Sequence, residues 1–119
     1  MKYVKYPKTV DETNPKDLVG AHKISVSLLP ATGILQGAEV MKHGADKYGA
    51  YNWRDKRVQA LIYADAIMRH TLEWVEGSDQ DEDSKLHPLA HVLANAAIVL
   101  DAIKYDNLID NRPKSKGVK

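Results

Sequence analysis

The chain has 119 residues, of which 44% are hydrophobic, and this fits one compact domain with its own core. Seventeen basic and sixteen acidic residues leave a net charge of +1, which excludes a broad basic surface for nucleic-acid polymers or anionic membranes. There is no cysteine, which excludes disulfides and thiolate zinc sites, and no apolar run approaches a bilayer span, so we expect a cytoplasmic protein without a membrane partner.

The two ends of the chain are more polar than its middle. Residues 1–23 contain the turn signal Asn14-Pro15 and are predicted to form an irregular N-terminal arm. Residues 111–119 are basic and are predicted to form a flexible tail. Because no repeat or second domain is visible, residues 1–119 are predicted to form a single domain.

Three main helices are predicted between these ends. The first begins after Pro30 and ends at Gly49, because apolar residues recur at steps of four and three. Its stripe consists of Ile34, Ala38, Met41, Ala45 and Tyr48. The second helix is predicted to end at Gly77, because a glycine in the left-handed conformation commonly terminates a helix. Its predicted core stripe consists of Leu61, Ala64, Met68, Leu72 and Val75. The third, roughly residues 86–107, is apolar on nearly every side and must be central or lie at a subunit interface.

A monomer of three helices has little material to cover a third helix that is apolar on nearly every side. Gly33 and Gly37 are small residues at which another helix can approach closely, although both glycines could instead merely loosen the first helix. The predicted fold is therefore an all-α bundle of three main helices with an irregular N-terminal arm. We expect it to be completed by oligomerisation into a homodimer or homotetramer.

The second and third helices each carry a line of polar side chains beside their apolar residues. These residues are Asp65, Arg69, Glu73 and Glu76 on the second helix and His87, His91 and Asn95 on the third. At 3.6 residues per turn, each set falls on one side of its helix. Because the acidic loop 79–84 lies between them, the two lines can face each other and enclose a metal or a charged ligand.

Carboxylates and imidazoles at these spacings are typical of metal sites. The ExxE spacing puts two oxygen ligands suited to Mg²⁺ or Mn²⁺ on one helix face, and histidines one turn apart can bind one ion. The alternatives are that the acids form ion pairs with Arg69 and that His91 and Asn95 fill ordinary core roles. The predicted metal ligands are Glu73, Glu76, Asp83, His87 and His91, and the candidate catalytic residues are Glu73, Glu76 and His91.

Cations alternate with aromatic residues between positions 43 and 57. A nucleotide needs this combination, since cations bind its phosphates and a flat ring stacks on its base. Two lysines of the N-terminal arm can close over the phosphates. The alternative is that the aromatic rings belong to the core. The predicted substrate-binding residues are Lys16, Lys23, Lys47, Tyr48, Asn52, Trp53, Arg54, Arg69, His70 and Asn95.

Several of these motifs, in order, resemble a phage-associated family of dATP/dGTP diphosphohydrolases, distantly similar to the MazG-like all-α nucleoside triphosphate pyrophosphatases. The motifs are NPKDLVGAHK (14–23), HGADKYGAYNWR (43–54), DAIMRH (65–70) and LAHVLAN (89–95). The resemblance implies an all-α oligomer that binds purine deoxynucleoside phosphates with a divalent metal. It also implies cleavage of the triphosphate to monophosphate and pyrophosphate, in the host cytoplasm if the protein is encoded by a phage.

The chain departs from this pattern at three positions of the predicted metal loop. Ser78 stands where an acid is usual, Lys85 where glycine is usual, and Pro88 where histidine is usual. These departures motivate a second hypothesis from a different class. In it the protein is a non-catalytic sponge that sequesters a nucleotide second messenger and so counters a host antiviral defence.

Overall fold

The structure, a computed structural model, describes residues 9–114. Its helices are α1 (Pro15–Gly20), α2 (Ala31–Tyr48), α3 (Asn52–Asp55), α4 (Ala60–Val75) and α5 (Pro88–Lys104), with a 3-10 turn at Val26–Leu28. Two-residue strands β1 (Val58–Gln59) and β2 (Leu108–Ile109) pair in parallel, with Val58 opposite Leu108. The all-α prediction is confirmed, and the small sheet joins the start of α4 to the segment after α5. None of the described helices is long and apolar enough to cross a membrane.

The three predicted main helices are present, because their ends are set by local signals. Helix α2 stops before Gly49, whose φ of 90° favours glycine, and α4 stops just before Gly77, whose φ is 104°. Helix α5 begins with Pro88, which needs no hydrogen-bond partner at the first helical position. The Nδ1 atom of His87 accepts a backbone N–H of the first turn at 3.0 Å.

Two segments predicted to be irregular contain helical turns. In the arm, the side chain of Asn14 accepts a hydrogen bond from the backbone N–H of Lys16 at 3.0 Å, and Pro15 occupies the first position of α1. The Asn-Pro pair is therefore a helix start and not a loop signal, since asparagine is a favoured cap and proline suits the next position. Helix α3 likewise interrupts the loop predicted after Gly49.

The ends of the chain are only partly covered. Residues 1–8 of the predicted arm and 115–119 of the predicted tail lie outside the described residues. At the start of the tail, Asn111 Oδ1 accepts a hydrogen bond from the Leu61 backbone N–H at 2.9 Å. The tail therefore has an anchored first residue, and its flexibility stays a prediction.

Helix α5 lies at the centre, as its apolar composition predicted. It packs against both α2 and α4, which make at most marginal contact with each other. The approach is close because the residues are small: Ala90 and Ala94 are buried against Val40, and a β-carbon added at Gly37 would lie 3.1 Å from the Leu93 side chain. The close approach predicted at the glycines is thus found, but the neighbouring helix belongs to the same chain.

The predicted core stripe of α4 is wrong in its C-terminal part for the isolated chain, whereas Leu61 and Ala64 are half-buried. Met68, Leu72 and Val75 are 62%, 59% and 64% exposed. Periodicity detects an apolar arc but not what covers it, and α4 directs a different arc inward. The half-buried residues of α4 that line the cleft described below are Tyr63, Ala66, His70 and Glu73.

The stripe of α2 is also exposed at both of its ends. Ile34 is 41% exposed and Tyr48 is 69% exposed, whereas Gly37 and Val40 are buried. The predicted stripe lies beside the buried arc, because the glycines allow α5 to pack closest along their own side of the helix. Glycine adds no apolar signal to a hydrophobicity pattern, so the sequence did not show that this side is the buried one.

Large apolar side chains remain exposed on α5 as well. Leu100 is 68% exposed and Ile103 is 57% exposed. Single exposed apolar residues are normal, but apolar stripes on two neighbouring helices are typical of surfaces covered by a partner. Oligomerisation stays a prediction that this exposure motivates.

We expect size-exclusion chromatography with light scattering to give a dimer or tetramer. Leu72→Glu should shift the population toward monomer, because an unpaired charge is costly to bury in an interface. Gln36→Glu adds the same charge to exposed α2 and should leave the mass unchanged. A wild-type chain that stays monomeric at micromolar concentration would contradict the prediction.

Candidate functional site

A cleft of about 750 Å³ lies between α2 and α4 with α5 as its floor. This volume is in the range of small-molecule binding sites and is large enough for a nucleotide. Residues 49–53 and two acids from the loop 76–87 complete the lining. Because α2 and α4 pack on α5 and hardly on each other, the cleft follows directly from the arrangement of the helices.

Most of the predicted site residues line this cleft. The predicted substrate-binding residues found there are Lys47, Tyr48, Asn52, Trp53, Arg69, His70 and Asn95, and the predicted metal ligands found there are Glu73, Asp83 and His91. The residues that do not line it are Lys16, Lys23, Arg54, Glu76 and His87. The fold therefore brings together part of each predicted polar line, namely Arg69 and Glu73 of α4 with His91 and Asn95 of α5.

The guanidinium of Arg54 is paired with a carboxylate of the same chain. Its Nη2 and Nε donate to the two carboxylate oxygens of Asp101 at 2.7 and 3.2 Å. The guanidinium lies 5.0 Å from the ring centre of Trp53 and 4.8 Å from that of Tyr105. This two-point pair fastens α3 to α5 and fixes the segment that carries Trp53.

Glu76 and His87 were predicted as metal ligands from helical spacing, but both lie beyond the ends of their helices. Helix α4 stops at Val75, and Glu76 is its exposed C-cap residue, which does not line the cleft. Helix α5 starts at Pro88, so His87 caps it, with Nε2 3.7 Å from an oxygen of Asp79. A one-turn spacing gives adjacent side chains only where both residues are helical.

The two arm lysines were predicted to close over phosphates. Lys16 lies on α1 and Lys23 follows it, and both are exposed. Neither lines the cleft of the same chain. Their binding role therefore has no geometric support within one chain.

A compact group of potential metal ligands lies in the cleft. His70 of α4, Asp81 of the loop and His91 of α5 each offer one ligand atom, and these atoms lie within 4.8 Å of one another. The imidazole rings stack with centres 4.3 Å apart and an interplanar angle of 15°. His70 Nδ1 is 3.6 Å from Asp81 Oδ1. We call these three residues the His-Asp-His cluster.

Asp81 is the buried acid of this cluster and is held by a tight turn. Its Oδ2 accepts the backbone N–H groups of Asp83 and Ser84 at 3.1 and 2.9 Å, and the Ser84 hydroxyl lies 3.2 Å away. Burial opposes the charged form, but the hydrogen bonds from Ser84 and the nearby His91 and His70 outweigh it, so the pKa of Asp81 is lowered. The carboxylate stays ionised with Oδ1 toward His70.

His91 is suited to act as a neutral ligand. Burial is the main cause that lowers its pKa, and the neighbouring His70 adds to this effect. A neutral imidazole keeps the lone pair that a metal needs. His91 Nε2 also lies 2.6 Å from the Ser84 hydroxyl, which in turn contacts Asp81, so the ring is oriented by the same turn.

Some buried polar atoms at the cluster are unsatisfied. Among the described residues, His70 Nδ1 and Glu73 Oε1 are buried and have no hydrogen-bond partner. Burial and the negative charge of Asp81 raise the pKa of Glu73. A cation would satisfy these lone pairs and offset the repulsion between the carboxylates of Glu73 and Asp81.

The residues fit a divalent metal. Ligand distances of roughly 2.0–2.2 Å bring ligand atoms to about 3–4 Å from one another, close to the spacing in the His-Asp-His cluster. Because the two imidazole rings are stacked, at least one ring must turn before both lone pairs converge on one ion. Two imidazoles and one carboxylate suit manganese, iron or zinc better than magnesium, which prefers oxygen ligands.

Asp81 and Ser84 were missed by the sequence analysis, which selected Asp83 from the same loop. The available signal was turn chemistry, since aspartate often accepts the backbone N–H groups two and three residues on. In a run of acids this signal does not single out one residue. Only the path of the loop shows which acid turns inward.

The three departures from the family pattern lie outside the cleft. Lys85 has a φ of 63°, a conformation that glycine adopts freely and that costs a side-chain-bearing residue about 1–2 kcal/mol. The loop therefore keeps the backbone path that suits the usual glycine. Pro88 is fully buried at the start of α5, and Ser78 donates its hydroxyl to the Gln80 carbonyl at 2.9 Å. None of the three departures removes a member of the His-Asp-His cluster.

Fold and site together define an all-α protein with a polar cleft and a cluster of two histidines and one aspartate. The family model described as dATP/dGTP diphosphohydrolase, N-terminal, matches residues 13–112, and the chain belongs to this family. A Salmonella phage PMBT28 protein named dATP/dGTP diphosphohydrolase is 31% identical over 93 residues, which cover 78% of this chain and 29% of that protein. The chain thus spans less than a third of the relative's length. No solved structure shows significant similarity.

Thermal melts with and without Mn²⁺ test the cluster. His91→Ala should abolish the metal-induced rise in melting temperature, because it removes a ligand from the centre of the cluster. His87→Ala is the matched control on the same chain segment and should keep the rise, whatever it does to the metal-free stability. A metal-induced shift that survives in His91→Ala would remove His91 from the site.

Calorimetric titration with dATP or dGTP tests whether Trp53 of the cleft stacks on the base. Trp53→Ala should weaken binding by roughly 1–3 kcal/mol if the indole stacks on the base. Trp74→Ala removes an equally large ring outside the cleft and should leave the affinity unchanged. Unchanged affinity in a folded Trp53→Ala variant would give Trp53 a packing role only.

Proposed function

We propose that the chain is a metal-dependent nucleotide hydrolase that binds a purine deoxynucleoside triphosphate and releases monophosphate and pyrophosphate. The observation that carries this proposal is that the His-Asp-His cluster opens into a cleft also lined by cations and aromatic rings. The phage relative's name, dATP/dGTP diphosphohydrolase, supports the substrate class. Action in the host cytoplasm follows if this chain, like that relative, comes from a phage.

The metal is held by His70, Asp81 and His91 in this proposal. When bound, a divalent cation supplies positive charge beside a phosphoryl group and so favours attack by water. Of the two cations predicted from the carboxylate spacing, Mn²⁺ suits two imidazole ligands better than Mg²⁺ does. Glu73 is the candidate base, because its unpartnered Oε1 can accept a proton and its raised pKa makes it a stronger acceptor.

Arg69 is the proposed anchor for the phosphates. It lines the cleft, and among the described residues no carboxylate pairs with it. A guanidinium can bind two phosphate oxygens at once, which fixes the orientation of the chain of phosphates. Arg69 is also next to His70 in the sequence, so one turn of α4 supplies both a phosphate contact and a metal ligand.

Rings and amides are proposed to bind the base. Trp53 or Tyr48 offers the stacking face, and the side chains of Asn52 and Asn95 offer donors and acceptors for its edge. The Nδ2 atom of Asn95 already donates to the His91 carbonyl at 2.9 Å, which leaves its Oδ1 as the free acceptor. An acceptor at this position suits a base that carries an amino group.

The alternative hypothesis was a non-catalytic sponge for a nucleotide second messenger. It rested on the three departures at Ser78, Lys85 and Pro88, and none of these residues lines the cleft. The three departures therefore leave the proposed metal ligands and the lining of the cleft in place. Hydrolysis is the function proposed here.

Incubation of the chain with dATP or dGTP and Mn²⁺ or Mg²⁺ should yield monophosphate and pyrophosphate in a chromatographic time course. The product must exceed one equivalent per site. Asp81→Asn should abolish turnover because it removes the only carboxylate of the His-Asp-His cluster. Asp79→Asn, an exposed change in the same loop, should not.

Recovery of a bound nucleotide unchanged after hours with either metal would contradict hydrolysis and favour sequestration. If no purine nucleotide binds, both hypotheses are wrong. Binding and turnover are therefore measured on the same preparation.

A further inference from the structure

His43 and Lys47 of α2 face the carboxylate of Asp83 across the cleft. His43 and Lys47 are one helical turn apart, so both point to the same side of α2. Lys47 Nζ donates to Asp83 Oδ2 at 2.7 Å, and His43 Nε2 lies 3.7 Å from that same oxygen. All three residues line the cleft that contains the His-Asp-His cluster.

His43 is incompletely satisfied in this arrangement. Its Nε2 is buried and has no hydrogen-bond partner among the described residues, because the Asp83 oxygen is too far away for a hydrogen bond. Buried polar atoms in native proteins are nearly always paired, so an unpaired atom that faces a cleft indicates a missing partner. A phosphate oxygen that reaches both Lys47 Nζ and His43 Nε2, in the tautomer that carries its proton there, would be such a partner.

The ion pair between Lys47 and Asp83 is easily exchanged. The side chains are 42% and 69% exposed, and exposed pairs contribute little to stability. A phosphate group carries more negative charge and more acceptor oxygens than a carboxylate, and lysine is a common phosphate ligand. A polyphosphate therefore competes well for the position that the Asp83 carboxylate occupies.

We propose that His43 and Lys47 form a binding subsite for a polyphosphate chain, and that Asp83 occupies this subsite as an internal stand-in until the ligand replaces it. The subsite deepens the proposed function, on which its assignment to a nucleotide rests. It also changes the role of Asp83, which was predicted from the sequence to be a metal ligand. Asp83 acts here as a competitor of the ligand and holds Lys47 in place while the cleft is free.

The test is calorimetric titration with inorganic tripolyphosphate in the presence of EDTA, so that metal binding does not contribute. Asp83→Asn should bind tripolyphosphate about two- to fivefold more tightly than wild type, the gain expected from release of an exposed ion pair. Glu82→Gln removes the same charge from the neighbouring exposed residue and should have little effect. An equal gain in affinity in both variants would show that the effect comes from net charge alone, and it would overturn the stand-in role of Asp83.

Two further variants test the donors. Lys47→Met should weaken tripolyphosphate binding about tenfold, whereas Lys56→Met, at an exposed lysine outside the cleft, should not. His43→Phe keeps a ring but removes the donor and should also weaken binding, and His43→Gln should restore part of it. Circular dichroism melts confirm that each variant is folded.

Other outcomes overturn the subsite. If Asp83→Asn binds tripolyphosphate no better than wild type, or if Lys47→Met binds it equally well, the three residues form a permanent ion-pair network. If Asp83→Asn instead loses the Mn²⁺-induced thermal shift, Asp83 is a metal ligand. These results differ from failure of the proposed function, which is read from nucleotide turnover by the wild-type chain.

Discussion

The close packing of α5 against two helices at once is the constraint on which the rest of the structure depends. Alanines of α5 and glycines of α2 let the helix axes approach, and this leaves α2 and α4 with almost no contact of their own. The gap between them becomes the cleft. Side chains that point into it from three helices are thus brought together by packing of the smallest residues in the core.

Polar groups in such a gap need partners, and the described residues supply only some of them. Asp81 is well satisfied by its own turn, but His43 Nε2, His70 Nδ1 and Glu73 Oε1 are buried without a partner. A purely structural network would be expected to pair these atoms, since each unpaired buried group costs roughly 1–3 kcal/mol. Their concentration in one cleft is the reason to assign it a charged ligand and a metal.

Local signals in the sequence were sufficient for the helices but not for the site. Proline and glycine set the ends of α2, α4 and α5, because caps and positive φ angles depend only on neighbouring residues. Asp83 and His87 stay predicted metal ligands, but the structure places Asp81, not Asp83, beside His70 and His91. Which side chains meet there depends on where α5 starts and how the loop turns, and local signals do not show either. Met68 and Leu72 were assigned to the core because periodicity does not reveal which apolar arc another helix covers.

The central claim is that His70, Asp81 and His91 together bind one divalent metal ion at the floor of the cleft. The most direct measurement is anomalous diffraction at the manganese edge from crystals grown with Mn²⁺. The account predicts one strong anomalous peak at roughly 2.0–2.3 Å from a ligand atom of each of the three residues. A peak held by Asp83 and Glu73 without the two histidines, or no peak in the cleft at saturating Mn²⁺, would contradict it.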